Sequence, residues 1–498
     1  MPTHTYDTIL LGDDLSGLIA AALCGRRGLR VLVAETLATP PESYRLGPYT
    51  FARAPLLFVG ETSPAVRRVL AELNLQQTMK RRLQPIRSVQ VALPDARLEL
   101  AGSPELFARE LDREFPAERE QIERLCERAA EFSRGLETIL AQEICLPPEG
   151  FWERRELARA APLAPAADED LLPGLAPDHP VRALIALPAA FSLGVDPRAA
   201  SPAAILRCLD LWRRGIARFT GGQESLRQML LEKMNTQQAC EVRTVVPERF
   251  ETRWGRVTGL VLRDRGELLG TATLLGATAI ADLGDLFGER RPKKVLELGR
   301  AVVPTAYRYI LHLVVYEAGL PEGLSPVTLA AFDPRRPLVG DNAMAIYAGD
   351  PDGETRVVLT LVANCPGPEE GHTLADQLAL LRVKLLRRLE QLMPFVSGHV
   401  LAMHSPNEAH APEGIETKET APRLAPEPLY TSTLPATLGV SAAPYSVGAR
   451  GVIAASRQVL PGLGLEGDFA TGASAARLAC HAAGRKKDYL NHAVLAGD

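Results

Sequence analysis

The stretch Asp7–Glu35, DTILLGDDLSGLIAAALCGRRGLRVLVAE, constrains the fold of this chain more than any other. Ile9, Leu10 and Leu11 form a short apolar run that ends on Gly12. Leu15 to Leu23 is small and apolar, as a buried crossover helix should be. Gly28 stops that helix and Val31–Ala34 supplies the next strand. Strand, tight turn, helix and strand open a dinucleotide-type α/β fold. Glu35 stands about twenty residues past the turn, where such a fold places the acid that holds a ribose hydroxyl. The spacing of a GxGxxG turn is present, but only its outer glycines, Gly12 and Gly17, remain. The middle position is Asp14, followed by Leu15 and Ser16 at the helix entry. A glycine there lets backbone approach a pyrophosphate at a helix N-terminus; an aspartate adds bulk and a like charge.

The length, 498 residues, predicts two or three domains. A net charge of −4 carries no nucleic-acid signature. The opening MPTHTYD runs straight into the first strand and reads as no signal peptide. No apolar run reaches the roughly 18–20 residues of a spanning helix. The seven cysteines are scattered without a CxxC pair, which predicts a reduced, cytoplasmic chain without structural zinc.

Beyond Glu35, Tyr49–Phe51 reads as a short strand. Pro116–Leu140 is an amphipathic helix, with Ile122, Leu125, Ala129, Phe132, Leu136 and Ile139 on one face. Pro147–Pro180, rich in Pro and Ala, reads as loop. ALIALPAAFSLGV, broken by Pro188, reads as a buried helix or pocket wall. A Gly-Gly turn at Gly221–Gly222 opens a helix, and antiparallel strands follow it. Several strands lie between Val303 and Ala363, and His372–Met393 is a second amphipathic helix. After a Pro-rich loop over 404–435, the chain ends in the strand GVIAAS, the turn PGLGLEG and a small-residue helix over Ala470–Ala483.

Four blocks resemble the phytoene desaturase and amine-oxidase-like flavoproteins, which are similar to Rab GDI in fold. They are GDDLSGLIAAALCGRRGLRVLVAE, GPYTFARAPLLF, GGQESL with PERFETRWGRVTGLVL, and GVIAASRQVLPGLGLEGDFATGASAARLA. The resemblance implies a discontinuous Rossmann-like FAD/NAD(P)-binding domain over 1–65, 215–290 and 425–498. It implies an inserted sheet-plus-helix domain over 66–214 and 291–424 that holds substrate or partner. The departures fall on flavin contacts. Asp14 replaces the middle glycine, and Ala52 and Ala54 replace an Asp and a Gly. Pro247 stands where a valine backbone meets adenine, and proline has no N–H. Ser456 and Arg457 replace the Gly-Asp that holds the ribitol. Gly462, Gly464 and Gly467 are retained in the turn whose helix N-terminus points at the flavin ring in the family.

The resemblance implies an FAD-dependent oxidoreductase acting on an apolar, isoprenoid-like molecule. The alternative is a flavin-free binding or scaffolding protein on the same fold, with a lipid or protein partner. Neither reading names a catalytic residue, a metal site or an oligomeric state. His404 and His410 are candidate acid–base groups, but loop histidines more often face solvent. The basic clusters Lys80–Arg82, Arg290–Lys294 and Arg485–Lys487 are candidate contacts to an anionic membrane surface, with solvated helix ends as the plainer reading. Three structural expectations follow. Gly451–Ser456 should lie close to Gly12. An apolar pocket, walled by Ala189–Leu193, should open toward Gly462–Gly467. Asp14 and Arg457 should face one site and pair.

Overall fold

A computed structural model of the chain describes residues 4–35, 43–101, 103–142, 144–164, 167, 169–263, 266–416 and 423–484. Strand β1 (His4–Gly12), helix α1 (Leu15–Arg26) and strand β2 (Val31–Glu35) form the opening βαβ unit. Four strands from the middle of the chain join it: β3 (Cys240–Thr244), β4 (Pro247–Arg253), β5 (Arg256–Leu262) and β6 (Leu268–Ala277). The C-terminal part adds β7 (Val452–Ala454) and helix α2 (Gly464–Ala482). The seven-stranded sheet runs β3-β2-β1-β6-β5-β4, with β7 beside the second half of β6. The pairs β3/β2, β2/β1, β1/β6 and β6/β7 are parallel; β4 and β5 form an antiparallel extension.

Register brings the distant segments to one edge. Gly12 pairs with Ala277 and Ala454 with Gly276, so the C-terminal strand lies one strand away from the first turn. Both helices pack on this edge and on each other, and their glycines follow from that closeness. A Cβ on Gly17 would meet the Ala277 Cβ at 2.3 Å, and one on Gly472 would meet the Ile19 Cγ2 at 2.5 Å. Gly12 has a φ of +100° and carries its missing side chain against the Ala277 carbonyl.

A second, eight-stranded sheet centres on the long strand Val302–Tyr316, flanked by Arg356–Pro366 and by Val400–His404 with Glu427–Ser432. The helix Leu374–Leu392 covers it with one stripe of leucines, Leu378, Leu381, Leu385 and Leu389 buried and Leu374 and Leu392 partly buried at its ends. A helical layer completes the molecule. Its longest member, Arg119–Ala141, buries all six residues of the predicted apolar face. The helix Pro180–Ser192 holds Pro188 in its interior and is buried along most of its length.

Two expectations need correction. Within the expected loop 147–180 the helix Phe151–Ala160 forms. Its residues FWERRELARA are good helix formers, and Glu153 accepts from the Gly150 N–H at the entry (3.1 Å). At the C-terminus, α2 begins six residues before the expected Ala470, so most of the Gly-rich turn is helical. Of the basic clusters, Lys80–Arg82 ends the helix Gln76–Arg82. Arg291 pairs with Asp285, and Lys293 with Glu297. Arg485–Lys487 lies outside the described residues. No helix among the described residues is long and apolar enough to cross a membrane.

Candidate functional site

The site is built where α1 and α2 begin. Asp14 is the N-cap of α1: its side chain accepts from the Ser16 N–H at 3.3 Å. The other carboxylate oxygen accepts from the backbone N–H of Arg457 at 3.1 Å. The two residues therefore meet as expected, but through the amide and not the guanidinium. The guanidinium is taken by Asp468, one turn into α2, with Nη2 at 2.6 Å from Oδ2 and Nε at 3.2 and 3.3 Å from the two oxygens. Its remaining nitrogen bonds Glu427. Ser16 closes the ring by donating its hydroxyl to Asp468 at 2.9 Å. Glu466, two residues before Asp468, is held by Arg207 at 2.5 and 2.9 Å, both side chains almost fully buried.

The charges of this ring act on one another. Burial, then the Asp468 charge, raise the Asp14 carboxyl to about pH 6, with Arg457 opposing. Burial alone would lower Arg457, but Asp468 and Asp14 hold it above its ordinary value. Asp13 faces outward and pairs with Arg227 at 2.6 Å, and Arg227 also reaches Glu224 at 3.3 Å.

The other sequence-derived residues fall in two groups. Leu15, Ser16 and Gly17 form the buried first turn of α1. Glu35 ends β2, one residue past the Leu11–Ala34 pair, buried, with its carbonyl accepting from the Val245 N–H at 2.8 Å. It is thus Val245 whose backbone meets the end of β2. Pro247 stands two residues further on, opposite Leu262 at the start of β4. Gly462 precedes α2 in a single 3-10 turn. Gly464 has a φ of +54° and abuts the Ser192 carbonyl, and Gly467 packs against the Leu460 carbonyl. Atoms of the protein itself fill the space that these glycines leave.

Beside the ring lies a cavity of about 200 Å³. Phe191 and Ser192, from the expected wall, and Leu465, from the Gly-rich turn, line it. Its place matches the expectation and its chemistry does not. Arg53, Glu224, Arg308, Glu427 and Arg457 also line it. These five side chains come from separate segments, each with an ordinary local pattern, so their convergence has no sequence signal. Glu466 and Asp468 did carry one: two acids in an otherwise small, apolar stretch. His404 corrects the solvent-facing reading. It is buried, bonds Tyr44 Oη at 2.9 Å, and burial lowers its pKa to about 4, so it is neutral. His410 is exposed, 3.4 Å from Glu408.

No protein-family model and no curated protein matches the sequence. Solved structures match it along nearly its whole length. An oxidoreductase from Methanosarcina mazei aligns with a TM-score of 0.58 at 14% identity, over 94% of this chain and 98% of that one. A putrescine oxidase redesigned at its cofactor site gives 0.58 at 13% identity, over 97% and 100%. The fold is that of the amine-oxidase-like flavin oxidoreductases. Cyclohexylamine oxidase from Brevibacterium oxydans shares this amine-oxidase-like fold too, at a TM-score of 0.55 and 14% identity over 96% and 99%.

The resemblance carried by the sequence implies FAD, its diphosphate expected at the N-terminus of α1. The residues present do not fit that group. The Asp14 carboxylate already takes the Ser16 N–H that an anion would use. Asp14 and Asp468 bring negative charge to the position, and Arg457 is saturated by Asp468 and Glu427. The neighbouring cavity, about 200 Å³, is smaller than the roughly 300–1,000 Å³ of a pocket for a drug-sized ligand.

Proposed function

We propose that this chain is a flavin-free ligand-binding protein built on the amine-oxidase-like fold, its dinucleotide cleft held shut by its own charges. The observation that carries the reading is the Asp14 carboxylate, which bridges the N-terminus of α1 and the Arg457 amide. A carboxylate supplied by the chain takes the place of the phosphate that the fold would otherwise recruit. Titration of FAD into the purified protein tests it. The expected outcome is a colourless protein that takes up no FAD, with uptake appearing in the double change Asp14→Gly, Arg457→Asp. Tight FAD binding by the wild type overturns the reading.

One observation favours a second reading: the match to flavin oxidoreductases extends over the full fold and not one domain of it. On that reading the chain is an FAD-dependent oxidoreductase, of desaturase type on an isoprenoid-like substrate, and the ring opens to admit the cofactor. The charged lining of the cavity weighs against so apolar a substrate. A yellow protein that releases FAD on denaturation supports this reading against the first.

A further inference from the structure

Arg53 is the residue that neither the fold nor the ring accounts for. It follows the strand Tyr49–Ala52 and is only 7% exposed. Its side chain lines the 200 Å³ cavity, its Nε has no partner, and among the described residues no hydrogen bond or ion pair holds its guanidinium. Glu224 acts on it through space, and that carboxylate also lies 3.3 Å from Arg227, an ion pair without a hydrogen bond. A guanidinium buried without an acceptor is costly. Arg308 repeats the pattern in part. It donates Nη2 to the Leu193 carbonyl at 3.0 Å, lies 3.7 Å from Glu427, and leaves Nε unpartnered.

We propose that this cavity is a binding site for a small organic monocarboxylate, with Arg53 as the group that receives its carboxylate. The proposal rests on the flavin-free reading above and deepens it by naming the class of ligand. Three arginines against two glutamates leave one net positive charge on the lining, which a single carboxylate neutralises. A dianion such as phosphate would face Glu224 and Glu427 with a surplus of negative charge. Apart from these charges and the polar Ser192, Gln223, Tyr347 and Asn407, the wall is apolar, with Leu56, Phe191, Ile310, Val362 and Leu465 among its residues. It therefore suits an acid with a compact hydrocarbon body. The fork of a guanidinium matches a carboxylate through two parallel hydrogen bonds.

Calorimetric titration of the full-length protein with benzoate, and separately with inorganic phosphate, tests the proposal, with thermal unfolding of the unliganded protein as a second readout. Wild type should bind benzoate saturably and phosphate weakly or not at all. Arg53→Met should weaken benzoate by at least about tenfold. It should also raise the melting temperature of the unliganded protein, because a buried guanidinium without a hydrogen-bonding acceptor has been removed. Arg53→Lys, which keeps the charge and loses the fork, should fall between the two in affinity. No saturable benzoate binding by wild type, tighter binding of phosphate, or a lowered melting temperature in Arg53→Met would each overturn it. If neither benzoate nor FAD binds, this proposal fails while the flavin-free reading stands. FAD binding without benzoate binding overturns both.

Discussion

Burial and the Asp468 charge hold the Asp14 carboxyl at about pH 6 in the folded chain, against an ordinary value of 3.8. Between those values the folded state binds a proton that the unfolded state does not. Its contribution to stability is therefore full below about pH 4 and is lost as pH rises through 6. The groups that set this window are Asp468, which raises the value, and Arg457 with the Ser16 and Arg457 amides, which lower it. Asp14→Asn keeps an oxygen for one of the two amides, loses the acceptor for the other at every pH, and removes the titration. Urea denaturation at pH 4, 5, 6 and 7 should show the variant gaining stability relative to wild type as pH rises. A constant difference across that range would show that Asp14 is ionised throughout and that the ring pays no electrostatic cost there.

The pairing of α1 with α2 sets how closely the two helix N-termini approach the ring. Gly472 serves this contact. A Cβ on Gly472 would lie 2.5 Å from Ile19 and 2.8 Å from the Ser16 carbonyl. Gly472→Ala should cost about 1–3 kcal/mol through overpacking, read as a lower urea midpoint with an unchanged slope. The loss should be the same with and without added FAD. A loss that FAD reverses would instead place the helix contact under the control of a bound dinucleotide.

Across the whole molecule, Arg207 links three helices. It lies in the helix Pro202–Arg213, bonds Glu466 at the start of α2, and reaches Glu137 in the helix Arg119–Ala141 at 2.9 Å. Its side chain is 2% exposed and that of Glu466 1%. Removing one partner leaves the other buried and undercompensated, so Glu466→Ala should destabilise by about 3–5 kcal/mol. Differential scanning calorimetry checks this. A change of less than about 1 kcal/mol would place the pair among the ion pairs that contribute little.

The sequence by itself determined the parts of this fold that depend on neighbours along the chain. The βαβ start was legible because an apolar run, a glycine turn, a small-residue helix and Glu35 follow one another within 35 residues. The stripes of Arg119–Ala141 and Leu374–Leu392 were legible because helical periodicity repeats locally. So were Asp14 and Arg457 as misfits, because each breaks a pattern of spacing. What they do was decided only in three dimensions. Arg457 meets Asp14 with its amide because Asp468, one turn into α2, offers its guanidinium two buried oxygens. Arg53, Arg308 and Glu427 look like ordinary surface charges in their own segments. They converge because the strand Val302–Tyr316, the segment after Tyr49–Ala52 and the edge strand Glu427–Ser432 approach one cavity. A buried charge becomes significant through what surrounds it, and those surroundings are supplied by residues hundreds of positions apart.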